Sequence, residues 1–267
     1  TADKLVDSSF ALVVVLYGSS SFGMKMFKVY EYLNTPSITD TTIISTTWGV
    51  RPRYFPSVTQ LSQSIAIVAY IVVTYSSTYF SIEVINVMTG INILSDTTID
   101  SWSSSGTVGD YVVKTLRMSS STFFLVRTKD DGIQYYAEMY RVNSSNVAVN
   151  YCSFLVDTNV KCDVISSTRQ YSGIKMAFNG VSKIVLLFNT LSSGQGDSYA
   201  DLRYAVVNVY VDSFGDWRIR SVDSEVVINS CYIDRDDFDI KFISQNDAVI
   251  VHNMWSTPSA NFRILSL

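Results

Sequence analysis

The densest cluster of side chains able to do chemistry in this sequence is the run Asp234-Arg235-Asp236-Asp237-Phe238-Asp239. Clustered carboxylates can offer hard oxygen ligands to Ca²⁺, or supply the acid and base of a glycosidase. The run lacks the glycine at its sixth position and the glutamate at its twelfth that an EF-hand loop requires, so Ca²⁺ at Asp234, Asp236, Asp237 and Asp239 is allowed but not signalled, and no cofactor is expected. Internal pairing by Arg235 on a solvated loop accounts for the run as well.

Gly196-Asp197-Ser198-Tyr199 matches the nucleophile signature of one esterase class. That chemistry needs a histidine base with an aspartate three residues before it, whereas the one histidine, His252, has Val249 there. The tetrapeptide therefore reads as a turn, and no catalytic residue is assigned. Gly18 to Lys25 approaches a phosphate-binding loop but places Met24 where the lysine belongs and leads into a strand-like segment. One histidine and three scattered cysteines exclude an ordinary zinc site. Cys152 and Cys162 flank the turn Asp157-Thr158-Asn159, so they could bond across a hairpin or stay as reduced core thiols. Asn143-Ser144-Ser145 is a glycosylation acceptor if the chain is secreted.

The elements that must position these residues are strands. Val, Ile, Thr, Tyr and Phe dominate, and no window of a dozen residues keeps the i, i+3, i+4, i+7 spacing of an amphipathic helix. In Ile174 to Asn189 a short apolar strand is followed by Asn179-Gly180, which predicts a two-residue hairpin with positive φ at both positions, and then by a buried return strand. The pattern recurs with return strands opening at Phe10, Ile65, Phe123, Ile184 and Val249, 55 to 65 residues apart as differences of residue number. Each unit continues into a third, more alternating strand, expected to have one wetter face. Four of the five add a fourth strand, and the last unit has no room for one. Such a period suits a blade of four strands. The expectation is an all-β single domain, a five-bladed β-propeller with blades over 1–48, 49–102, 108–165, 172–228 and 236–267 and innermost strands near Leu5, Val58, Leu116, Met176 and Phe242. A β-sandwich or jelly roll is the alternative.

Val211-Asp-Ser-Phe-Gly-Asp-Trp217 resembles the Asp box of sialidase-like propellers, where Ser-x-Asp-x-Gly-x-Thr-Trp closes the turn between the third and fourth strands. Here Asp212 to Gly215 is one residue longer and Gly215 to Trp217 one shorter. The resemblance implies the fold and not sialidase activity.

Composition bounds the function. Apolar residues make up 47% of the 267, against 16% charged, with Ser, Thr, Tyr and Asn in place of the missing charge. A net charge of -4 without a Lys/Arg cluster argues against a nucleic-acid partner, and no apolar run is long enough to span a bilayer as a helix. The composition resembles surface or virion proteins of acid- and heat-loving archaea and their viruses. The expected function is a binding module, extracellular, at a cell surface or on a virion, with a protein or glycan partner and a homo-oligomer allowed. The alternatives are a glycoside hydrolase of the five-bladed kind and a structural oligomer or capsid component. The expected ligand-binding residues lie on connections: Asp234, Arg235, Asp236, Asp237, Asp239, Tyr75, Tyr79, Arg51 and Arg53. The last strand, Phe262 to Leu267, ends on an edge, so Phe262, Ile264 and Leu265 are expected against the N-terminal segment or in an intermolecular contact.

Overall fold

A computed structural model describes residues 2–4, 10–17, 22–32, 35–44, 53–73, 77–86, 92–102, 112–129, 134–157, 174–191, 200–224, 226–231, 238–254 and 257–267, with side chains described from Ser57 onward for most of them. Every regular element among them is a β-strand.

The strands form five antiparallel sheets, each a meander in chain order. The first holds β1 (Ala2–Lys4), β2 (Phe10–Tyr17), β3 (Phe22–Tyr32) and β4 (Thr35–Ile44). The second holds β5 (Arg53–Gln60), β6 (Ile65–Val73), β7 (Thr78–Asn86) and β8 (Asn92–Trp102). β9 (Val113–Arg117), β10 (Thr122–Lys129), β11 (Gln134–Val142) and β12 (Ala148–Asp157) make the third. The fourth runs β13 (Ile174–Phe178), β14 (Lys183–Leu191), β15 (Ala200–Val211) and β16 (Trp217–Val222), with β17 (Val226–Cys231) also on β15. The fifth has three strands, β18 (Phe238–Phe242), β19 (Asp247–Met254) and β20 (Thr257–Ser266). The first strands expected near Val58, Leu116, Met176 and Phe242 are β5, β9, β13 and β18, while Leu5 lies outside the described residues. The segment from Asp223 to Asp239 contains β17, whose Val226 and Val227 pair with Tyr204 and Arg203.

The repeat is explicit in its first turns. Leu61 N–H donates to Ile65 O at 2.9 Å, Met118 N–H to Thr122 O at 3.0 Å, Asn179 N–H to Lys183 O at 3.0 Å and Ile243 N–H to Asp247 O at 2.9 Å. Inside each loop one side chain takes the remaining amides. Ser62, Ser119 and Ser244 each accept from the two backbone N–H groups at the end of their loop, and Asn179 Oδ1 accepts from Val181, Ser182 and Lys183. Serine at these positions satisfies backbone donors that the ladder leaves over. The two-residue turn expected at Asn179-Gly180 is corrected: three residues, Gly180 to Ser182, separate the closing pair, and only Gly180 has positive φ, at 81°.

The chain divides into two compact units, one of Thr1–Ser105, Val113–Leu125 and Tyr140–Tyr151, the other of Gly106–Val112, Val126–Met139 and Cys152–Leu267. In the first, Val58, Ala66, Val68, Tyr70 and Ile85 pack together, and Phe123 stacks on Tyr140. In the second, Val185, Leu187, Leu202 and Val206 of the fourth sheet meet Phe238, Ile240, Ala248, Ile250 and Leu265 of the fifth. Tyr135 meets Phe188 edge to face at 5.9 Å. The wetter face expected of the third strands does not hold for β7 and β11: Phe80 to Ile85 and Ala137 to Tyr140 are buried throughout. A strand covered on both faces gains from apolar side chains at every position, so alternation fades.

Candidate functional site

In a four-stranded meander, the connections from first to second strand and from third to fourth lie at one end, and the rest at the other. Among the described residues the first end is made of tight turns. Besides the four hairpins, Asp212 N–H donates to Asp216 O at 2.9 Å, and Asp212 Oδ1 accepts from Phe214 and Asp216. The turn at Asn143 has the same bonds: Asn143 N–H donates to Val147 O at 3.0 Å and Oδ1 accepts from Ser145 and Val147. Gly215 and Asn146 hold the corresponding left-handed position, at φ 82° and 59°. Among the described residues the Asp-box-like turn is thus present twice, at Asn143 with Asn in place of Asp and of Gly, substitutions such a turn tolerates. Arg218 Nε donates to Asp212 Oδ2 at 2.8 Å. That bond first, then the amide of Asp216, holds the Asp212 carboxyl below the ordinary carboxylate range.

The connections that lead from one sheet to the next lie at the other end, and three of the expected site residues stand at that end of their own sheets. Arg53 opens β5, Tyr79 stands near the start of β7 and Asp239 near the start of β18. Tyr79 is half-buried and pairs with Val72 and Ser101. Asp239 is exposed, and its Oδ1 accepts from the Ile240 N–H at 2.9 Å. Arg51, Tyr75, Asp234, Arg235, Asp236 and Asp237 lie outside the described residues, as do Ser198 and Cys162. Three of the four carboxylates named for Ca²⁺ are therefore not placed. Among the described residues no group of three His, Cys, Asp or Glu side chains could hold a metal.

The structure adds buried polar groups that sequence reading missed. Counted five residues on from the hairpin acceptors Ile65, Thr122, Lys183 and Asp247, one repeat position carries Tyr70, Arg127, Phe188 and His252, all buried. Tyr70 OH donates to Glu83 Oε1 at 2.8 Å. Arg127 grips Glu138 through Nε at 2.8 Å and Nη2 at 3.1 Å, and Ser153 Oγ donates to Glu138 Oε1 at 3.1 Å. These bonds offset part of the cost of burying each group. Their signal in the sequence is a charge inside an apolar strand, Glu83 in FSIEVIN and Glu138 in YYAEMY. Between β5 and β9, the hydroxyls of Ser57 and Thr59 lie 2.8 and 2.9 Å from Thr115 Oγ1, and the Thr115 N–H donates to Ser57 Oγ. This hydroxyl knot ties neighbouring first strands together.

No family model and no curated protein matches the chain. Among solved structures, an endo-arabinase from Bacteroides thetaiotaomicron VPI-5482 is similar over 98% of this chain and 90% of its own, with a TM-score of 0.47 and 13% identity.

Proposed function

We propose that this chain is a binding module whose five sheets are the blades of a five-bladed β-propeller, working outside a cell or on a virion and taking a protein or glycan partner where the long connections gather. The observation that carries this reading is that the connections between the first four sheets, 45–52, 103–112 and 158–173, are longer than the first-to-second-strand turns, which lie at the opposite end of their sheets and are closed by their own side chains. Loops held on a rigid scaffold are where recognition concentrates, and tyrosine there offers contact area for little lost entropy. A glycan array followed by titration calorimetry tests it. Binding that Tyr79→Ala weakens about tenfold or more with unchanged melting supports the reading; binding indifferent to Tyr79 and Arg53 sinks it.

The second reading, a glycoside hydrolase of the five-bladed kind, needs carboxylates converging from first strands. Asp239, exposed on β18, is the acid that favours it, and Asp3 on β1 is the other acid on the described first strands, while β9 and β13 carry Lys114, Arg117 and Lys175. Release of reducing sugar from arabinan or a related polysaccharide, abolished by Asp239→Asn, would establish it.

A further inference from the structure

We propose that Asn143 is an acceptor for an N-linked saccharide, transferred to its Nδ2 from a donor in which the sugar is joined through C1 to a polyprenyl phosphate or diphosphate. Modification there rests on the location outside a cell or on a virion put forward above, because such donors serve exported chains. Asn143-Ser144-Ser145 is the one Asn-x-Ser/Thr triplet in the sequence.

The triplet forms the tip of the turn between β11 and β12, and all three residues are exposed. Sheets that pack on one another cover the faces of strands, whereas the tip of a turn projects beyond them. The turn is well held. Asn143 N–H donates to Val147 O at 3.0 Å, Asn146 N–H donates to Asn143 O at 2.9 Å, and Ser95 Oγ of β8 donates to Asn146 O at 2.5 Å.

The second polar atom of its side chain sets Asn143 apart. In the turns at Asn179, Asp212 and Asn143, one side-chain oxygen accepts from backbone amides. The other atom is engaged in two of them: Asn179 Nδ2 donates to Gln245 O at 2.8 Å, and Asp212 Oδ2 accepts from Arg218 Nε at 2.8 Å. Asn143 Nδ2 has no such bond among the described residues, and neither has Ser145 Oγ, the hydroxyl that the acceptor motif requires. A saccharide on Nδ2 therefore displaces no contact of the fold. The bonds at Oδ1 also suit the chemistry, because loss of an Nδ2 proton places negative charge on Oδ1, where the Ser145 and Val147 N–H groups stabilise it. In the transfer Nδ2 bonds to C1 of the sugar, and the bond from C1 to the phosphate oxygen breaks. The electron pair leaves with the lipid phosphate, and the Nδ2 proton passes to a base of the transferring enzyme. In its own sheet this turn lies at the end opposite the connections to neighbouring sheets, so the saccharide stands clear of the end proposed for recognition.

Intact-mass spectrometry of the full chain, secreted behind a signal peptide from an N-glycosylating eukaryotic host, tests this. The parent should carry one saccharide, released by a peptide N-glycosidase. Asn143→Asp keeps the turn oxygen, as Asp212 does in its own turn, and Ser145→Ala removes a hydroxyl that the fold does not bond. Each should lose the whole mass shift and melt like the deglycosylated parent, while Ser145→Thr should retain the shift. A secreted parent of unmodified mass overturns the proposal, as does a saccharide that survives Asn143→Asp. Chain from its natural source separates site from location: a saccharide at Asn143 there supports both, and its absence there beside a modified secreted chain supports the acceptor and sinks the location.

Discussion

Four chemistries share one repeat position, and the contrast shows how a buried polar group is tolerated. Phe188 needs nothing, Tyr70 brings a hydroxyl that donates to Glu83, and Arg127 brings a full charge met by Glu138. Removing one member of such a pair strands the other in a site without water, so Arg127→Met should cost about 3 kcal/mol even with Ser153 still bonded to Glu138. Chemical denaturation reads that loss as a lower midpoint at unchanged slope. Asp212 gives a second prediction. Its carboxyl is held below the ordinary range first by Arg218, so its contribution is present above the unfolded-state pKa and lost as pH falls through the lower folded value. Asp212→Asn keeps an oxygen for the turn amides but gives up the charged link to Arg218. The parent should therefore melt higher than Asp212→Asn near neutral pH, and the two should converge in acid below the usual carboxylate range. His252, buried on β19, and Ser198 should both tolerate Ala without effect on any activity the chain shows.

At the scale of elements, the turns at Asn143 and Asp212 show one backbone shape reached by two sequences. Gly215 sits at φ 82° and an added Cβ there would meet nothing within 4 Å, so Gly215→Ala isolates the backbone term. A loss of about 1 kcal/mol is expected, measured by thermal unfolding, and Asn146→Gly in the equivalent turn should be neutral or slightly stabilising. The resemblance of Val211 to Trp217 to an Asp box was readable from residue types. Its second copy was not, because Asn143-Ser-Ser-Asn146 shares hydrogen bonds with the first and only Ser213/Ser144 in residue type. Trp217 packs edge to face on Phe178 at 5.4 Å, which joins this turn to the first strand of its sheet.

For the whole molecule, the last strand carries the prediction. Leu265, expected at an edge or an interface, is buried in the core shared with the fourth sheet, while Phe262 and Ile264 face outward. β1 pairs with β2, with Ala2 opposite Leu12, and among the described strands β20 pairs with β19. Deleting Asn261 to Leu267 should thus lower the melting temperature through loss of Leu265. A deletion variant that melts like the full chain would remove the basis for treating β20 as part of the core.

The sequence by itself determined the strands, their recurrence and the five first hairpins as expected positions, because strand propensity and turn chemistry are local and act within a dozen residues. Val58, Leu116, Met176 and Phe242 could be placed on first strands from spacing alone. Tertiary structure decided which polar residues go inward and which apolar ones stay outside. Glu83 and Glu138 resemble surface charges until the opposing Tyr70 and Arg127 are seen, since pairing across strands depends on register and not on neighbours in sequence. Leu187 is buried because residues of the fifth sheet pack against it, a partner that its neighbours in sequence do not reveal.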